Sequence, residues 1–207
     1  MLLVVGGHSR NIGKTSVAAG LIHHLRDRKW TALKITQYGH GVCSHHGEAC
    51  GCETEPDHPF ALSEEYEPST TDSGRFLAAG AERSFWLRTP AGQLSAAEKQ
   101  VRKILSQHEN VIVESNSLLE LARPDLFLMV LDFHCPDFKA SSARFLERAD
   151  AVVVIGSGFD APLWQNVPRS AWQQKRQFPV KPPTYVTSAM VEFVRTTANW
   201  VTPNSGT

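Results

Sequence analysis

The chain has 207 residues, 42% hydrophobic and 20% charged, with 21 basic and 21 acidic side chains. That is the size of one globular domain, or of one domain with a large insertion, and it excludes a disordered or fibrous chain. Zero net charge gives no footprint for a nucleic acid or a membrane surface, and no apolar run approaches the roughly 20 residues that span a bilayer.

In chain order, Leu2 to Val5 is a short apolar run ending in Gly-Gly, which predicts a strand buried on both faces. Val17, Leu21, Ile22 and Leu25 recur at helical spacing and predict a helix from about Lys14 to Arg28. "WTALKITQ" (30–37) reads as the second strand, and 38–70 has no clean period and reads as an inserted loop. A helix is predicted over 71–81, a strand over 83–89, and an amphipathic helix over 95–108 with Ser95 as cap and Glu98 three residues on. "NVIVES" (110–115), "DLFLMVLD" (125–132) and "DAVVVIG" (150–156) read as strands, with a helix over 139–149 before the last. "PTYVTSA" (183–189) adds a candidate strand, followed by a helix to about Trp200 and a frayed tail. Strands alternating with helices imply an α/β three-layer sandwich with a mostly parallel sheet. The expectation is a single nucleotide-binding domain over 1–207.

The first strand-to-helix turn, "GGHSRNIGKTS" (6–16), carries the chemistry. A Gly-Lys-Thr triplet that follows a buried strand and opens a helix is a phosphate-binding arrangement, because the helix's free amides and dipole face an anion. Lys14 then reaches the outer phosphates, and the Thr15 hydroxyl goes to Mg²⁺. Gly7, Ser9, Arg10, Asn11, Ile12, Gly13 and Ser16 complete the candidate loop. The spacing departs from the usual Gly-x₄-Gly-Lys-Ser/Thr: His8 stands where the first Gly belongs, and Gly7 is one residue early. Among the acids, Glu114 ends a central strand at the crevice where such sheets bind ligands, and is the first Mg²⁺ and catalytic candidate. Asp72 is the second and Asp132 the third. The other reading of each is a helix cap or a surface ion pair. Lys34 reads either as a contact to phosphate or an anionic substrate, or as a solvated strand-end lysine.

The five-residue gap between Gly7 and Gly13 resembles the longer loop of dethiobiotin synthetase, a P-loop protein of the nitrogenase-iron-protein-like class. "ALKITQYG" (32–39) is similar to the Lys-bearing second strand of that class. "VIVESNSLLE" (111–120) is similar to its Glu-bearing strand, with Ser115-Asn116-Ser117 in place of the small residues. "DSGRFLAAGA" (72–81) resembles a segment of molybdopterin-guanine dinucleotide biosynthesis protein B. The resemblance implies Mg-dependent binding and hydrolysis of ATP or GTP, and an accessory role in molybdenum-cofactor or metal-centre assembly. It leaves open a dethiobiotin-synthetase-like ligase or kinase acting on a small carboxylate, and a non-enzymatic metal-binding nucleotide switch. It also implies a homodimer, and a small-molecule acceptor or a client protein as partner. Ser9 replaces the early signature lysine of many members, and no Asn/Thr-Lys-x-Asp guanine motif is visible.

"HGVCSHHGEACGCETEPDH" (40–58) is the second chemical feature. The opening "MLLVVGG" lacks a secretory leader's flank and cleavage site, so a cytoplasmic location is expected, with cysteines reduced. Cys43, Cys50 and Cys52 with a histidine, His45 or His46 or else His40 or His58, make a candidate Cys₃His zinc site. An iron–sulfur cluster is the alternative, with Cys135 as a candidate fourth thiolate.

Overall fold

The structure, a computed structural model, describes residues 1–39, 59–156 and 161–199. Leu2–Gly7 (β1), Thr31–Tyr38 (β2), Ala61–Glu65 (β3), Arg83–Pro90 (β4), Val111–Glu114 (β5), Leu126–Asp132 (β6), Ala151–Ile155 (β7) and Arg176–Val180 (β8) form one sheet. In space the order is β3-β4-β2-β5-β1-β6-β7-β8. Every pairing is parallel except that of β3 with β4.

The inner strands are apolar because both of their faces are covered. Leu3 and Val5 of β1 point into one core layer and Val4 into the other. The first layer is closed by Lys14–His24 (α1), Asp72–Ala78 (α2) and Ser188–Thr197 (α6), through Val17, Leu21, Phe76, Met190 and Val194. Glu98–Gln107 (α3), Ala140–Leu146 (α4) and Ser170–Gln173 (α5) close the second, through Val101, Ile104, Phe145, Leu146 and Trp172. Burying each such side chain contributes about 1.5–3 kcal/mol. This is the expected three-layer α/β sandwich.

Several local expectations are corrected. The first helix stops at His24, and a short 3₁₀ turn covers Arg26–Arg28. Within the stretch read as a loop, β3 adds an antiparallel edge strand, with Glu64 paired to Arg83 at 2.7 Å. Ser95 caps nothing: a 3₁₀ turn over Leu94–Ala97 precedes α3, whose cap position is Ala97. No strand spans 183–189. There the chain turns, with the Thr184 amide bonded to the Lys181 carbonyl at 2.9 Å, and Thr187 caps α6 by accepting from the Met190 amide at 3.3 Å. The last strand is β8, whose Pro179 is tolerated because an edge strand needs ladder bonds on one side only.

Candidate functional site

The C-terminal end of β1 is tied to its neighbours before the loop begins. A Cβ on Gly6 would lie 2.1 Å from Asn116 Oδ1 and 2.7 Å from the Phe127 ring, so only glycine fits. The Asn116 carboxamide grips Gly7 from both sides: the Gly7 amide donates to Oδ1 at 2.9 Å, and Nδ2 donates to the Gly7 carbonyl at 2.8 Å. His8 is fully buried. Its Nδ1 is 2.8 Å from the Asp137 carbonyl, and its Nε2 accepts from the Asp132 amide at 3.0 Å. One ring nitrogen donates and the other accepts, so the imidazole is neutral. Burial lowers its pKa despite those backbone partners. The ring stacks on Phe138 at 4.9 Å. The residue that breaks the usual spacing is therefore an anchor, holding the loop to the segment after β6.

Beyond His8 the loop turns through Asn11 (φ 54°) and Gly13 (φ 84°). Gly13 holds the cap position of α1 in a left-handed conformation, and no side chain caps the helix. The leading amides of α1 are thus left without a side-chain acceptor, as an anion site requires. Lys14 lies back along the loop, with Nζ 2.5 Å from the Ser9 carbonyl. Burial, with Lys34 and Lys139 adding repulsion that Glu114 and Asp72 offset in part, brings its pKa down to about 8.

The other wall is built by adjacent strands. Lys34 of β2 and Glu114 of β5 are register partners, which places both side chains together. Glu114 is buried and accepts from the Thr15 hydroxyl at 2.7 Å and from Lys34 at 3.1 Å. Lys34 also donates to Asp72 in the first turn of α2. Burial acts to lower the Lys34 pKa, but the two carboxylates outweigh it and the pKa is raised. Asp72 is raised by burial, yet Lys34 and the Thr15 hydroxyl hold it below the usual carboxylate value. Arg75, 3.7 Å from Asp72, donates to the Ser16 hydroxyl at 3.0 Å.

These groups line one cavity of about 700 Å³. It brings together Gly7, the loop from Ser9 to Ser16, Lys34, Asp72 and Glu114, all read from the sequence as candidates. It also takes in Asn116, Arg75, Lys139 and Tyr185, which sequence reasoning did not single out. Asn116 and Arg75 sat inside recognised segments, but Lys139 and Tyr185 carried no pattern. Asp132 does not line the cavity; its carboxylate accepts from the His134 amide at 2.9 Å, two residues on in the turn after β6. A hydroxyl resting on a carboxylate, beside an uncapped helix start and a buried lysine, fits a Mg²⁺-bound polyphosphate. Thr15, Glu114 and Asp72 are the residues that would hold the metal side.

Cys43, Cys50, Cys52, His45, His46, His40 and His58 lie outside the described residues. Among the described residues, no group of three or more His, Cys, Asp or Glu side chains is arranged to hold a metal ion. Cys135 is a free thiol whose sulfur is 3.8 Å from the Asp137 carbonyl. No helix among the described residues is long and apolar enough to cross a membrane.

A parallel sheet with this loop between its central strand and the first helix is the fold of the P-loop NTPases. No protein-family model matches the chain, and no curated protein matches it in sequence. Among solved structures the chain is similar to HypB from Helicobacter pylori in complex with nickel, at 12% identity and a TM-score of 0.50, over 99% of this chain and 91% of that one. It is also similar to LpxK from Aquifex aeolicus (15% identity, TM-score 0.46, 86% of this chain and 53% of that one). The signal recognition particle 54 kDa protein from Aeropyrum pernix K1 is a further neighbour (15% identity, TM-score 0.48, 95% and 46%). At these identities the likeness is one of fold.

Proposed function

We propose that the chain is a single P-loop domain, with a Cys/His-rich insertion at about 38–70, that binds and hydrolyses a magnesium nucleoside triphosphate, ATP or GTP. The observation that carries this is the convergence of Lys14, Thr15 and Glu114 on one cavity at the end of parallel strands. Water attacks the γ-phosphorus and the bond to the β–γ bridging oxygen breaks; one of the water's protons stays on inorganic phosphate and the other passes to a phosphate oxygen or to solvent. The loop amides and Lys14 stabilise charge on the outer phosphates, and positioning does the rest. Magnesium, when bound, neutralises the phosphate oxygens. Glu114 and Asp72 would hold its shell, and the Thr15 hydroxyl, which rests on Glu114, would supply a direct oxygen to it. Lys34 keeps the two carboxylates in place.

The resemblance to molybdopterin-guanine dinucleotide biosynthesis protein B supports a cytoplasmic accessory role in cofactor or metal-centre assembly, with a client protein or a second copy as partner. One observation favours a ligase or kinase like dethiobiotin synthetase instead. Thr36, Gln37, Tyr38 and Trp86 also line the cavity, a wall for an acceptor. Phosphate release from ATP and from GTP, with and without a panel of small carboxylic acids, separates these readings. Slow release indifferent to acids supports the accessory factor, acid-dependent release supports the ligase, and tight binding without release supports a switch. No binding of either nucleotide contradicts all three. The Cys/His-rich segment is proposed to hold zinc or an iron–sulfur cluster through Cys43, Cys50, Cys52 and His45 or His46. Metal analysis after anaerobic purification tests it: metal in the wild type and its loss in Cys50→Ser/Cys52→Ser is the expected result, and metal-free wild type contradicts it.

A further inference from the structure

The two walls of the cavity differ in charge balance. Lys34 is matched by two carboxylates, and Arg75 has Asp72 and Ser16. On the loop side stand Lys14, Arg10 and Lys139, all facing the same space. Lys139 comes from the segment between β6 and α4, far from the loop in sequence. Burial lowers its pKa, with Arg10 adding repulsion that Asp137 only partly offsets. It also adds repulsion at Lys14. The carboxylate that offsets it, Asp137, also accepts from the Ser9 hydroxyl at 2.5 Å.

Its placement is fixed. The Lys139 amide donates to the His8 carbonyl at 3.1 Å. Asp137 takes the Ser9 hydroxyl on its carboxylate and the His8 ring on its carbonyl. The His8 ring also accepts the Asp132 amide at the end of β6. These bonds clamp residues 132–139 onto the first turn of the loop, beside the Ser9 carbonyl on which the Lys14 ammonium rests. On the triphosphate reading, Lys14 reaches the outer phosphates and so brings them to this end of the loop. Like charges gathered in a partly desolvated space repel one another unless an anion lies between them.

Resting on the triphosphate reading above, we propose that Lys139 is the second phosphate cation of this site, contacting the terminal phosphate from across the loop. His8, Ser9 and Asp137 act as positioning residues for it. The consequence is specific. Lys139 meets charge that a triphosphate has and a diphosphate lacks, and that grows as the terminal phosphoryl group departs.

The test uses the full chain and the variants Lys139→Ala, Lys139→Met and Lys139→Arg, beside Lys14→Ala, with thermal melts confirming that each is folded. For Ala and Met the expected result is a fall of about 10²-fold in kcat and about tenfold in triphosphate affinity, with diphosphate affinity kept within about twofold. Lys139→Arg is expected to restore most of the triphosphate preference. A merely structural lysine would weaken both nucleotides alike and would not be rescued by Arg. If Lys14→Ala abolishes binding while Lys139→Ala and Lys139→Met keep wild-type turnover and triphosphate preference, the assignment of Lys139 is overturned and the nucleotide site stands. If the wild type binds no nucleotide, both fall together.

Discussion

Lys34 and Lys14 project into the same cavity and have opposite electrostatic fates. Lys34 is raised in pKa because Glu114 and Asp72 outweigh its burial; Lys14 falls to about 8 because burial and neighbouring lysines outweigh those carboxylates. The first lysine is already satisfied and holds a wall together. The second is a charge awaiting an anion, and its only hydrogen-bond partner among the described residues is the Ser9 carbonyl. A buried cation whose charge is only partly offset is costly, which is why Lys14 is proposed to meet an anion at the start of α1. A strand-end lysine and a loop lysine look alike in a sequence; their neighbours separate them.

The largest effect is expected at Lys14. Lys14→Ala is expected to weaken triphosphate binding by about 10²-fold or more, roughly 3 kcal/mol, in calorimetric titration. Glu114→Gln is expected to lower hydrolysis by about 10²-fold and to destabilise the fold by about 1–3 kcal/mol, because the amide removes the charge facing Lys34 and leaves one acceptor oxygen for the two donors Lys34 and Thr15. Phosphate release and urea midpoints read the two effects separately. Gly6→Ala, which touches neither lysine, forces a methyl group into Asn116 and Phe127 and is expected to cost about 1–3 kcal/mol in the urea midpoint. An unchanged midpoint would show that the grip of Asn116 on the loop is loose.

How much of this was legible in the residues follows the same division. β1, the loop and Glu114 were readable because buried parallel strands are contiguous apolar runs whose ends mark the crevice. β3 was not: its exposed, partly polar residues gain order only from the antiparallel ladder with β4. β8 was masked by Pro179 and by having only Phe178 and Val180 buried. The pairing of Lys34 with Glu114 needs the knowledge that β5 inserts beside β2, a contact 80 residues apart in sequence. Lys139 and Asp137 reach the loop only because β6 lies next to β1, which no local pattern announces.

The smallest expected effect sharpens the contrast between the lysines. Polyphosphate favours charged Lys14 and raises its pKa above about 8. Between that value and the raised one, the free protein has lost a proton that the complex retains. Binding near pH 8.5 should therefore take up a fraction of a proton, and affinity should fall as pH rises above about 8. Titrations in buffers of different ionisation enthalpy measure the uptake. Asp72→Asn removes a charge that holds the Lys14 pKa up and should increase the uptake, whereas zero uptake in the wild type would show Lys14 to be fully charged before nucleotide arrives.

The account rests on the loop and Lys14 holding a polyphosphate tail. Direct calorimetric titration of the wild type with ATP and with GTP in magnesium buffer tests that. Saturable binding of at least one, with close to one site per chain and loss of the signal in Lys14→Ala, is the predicted result. Flat titrations for both nucleotides, or a Lys14→Ala protein that binds like the wild type, would contradict it.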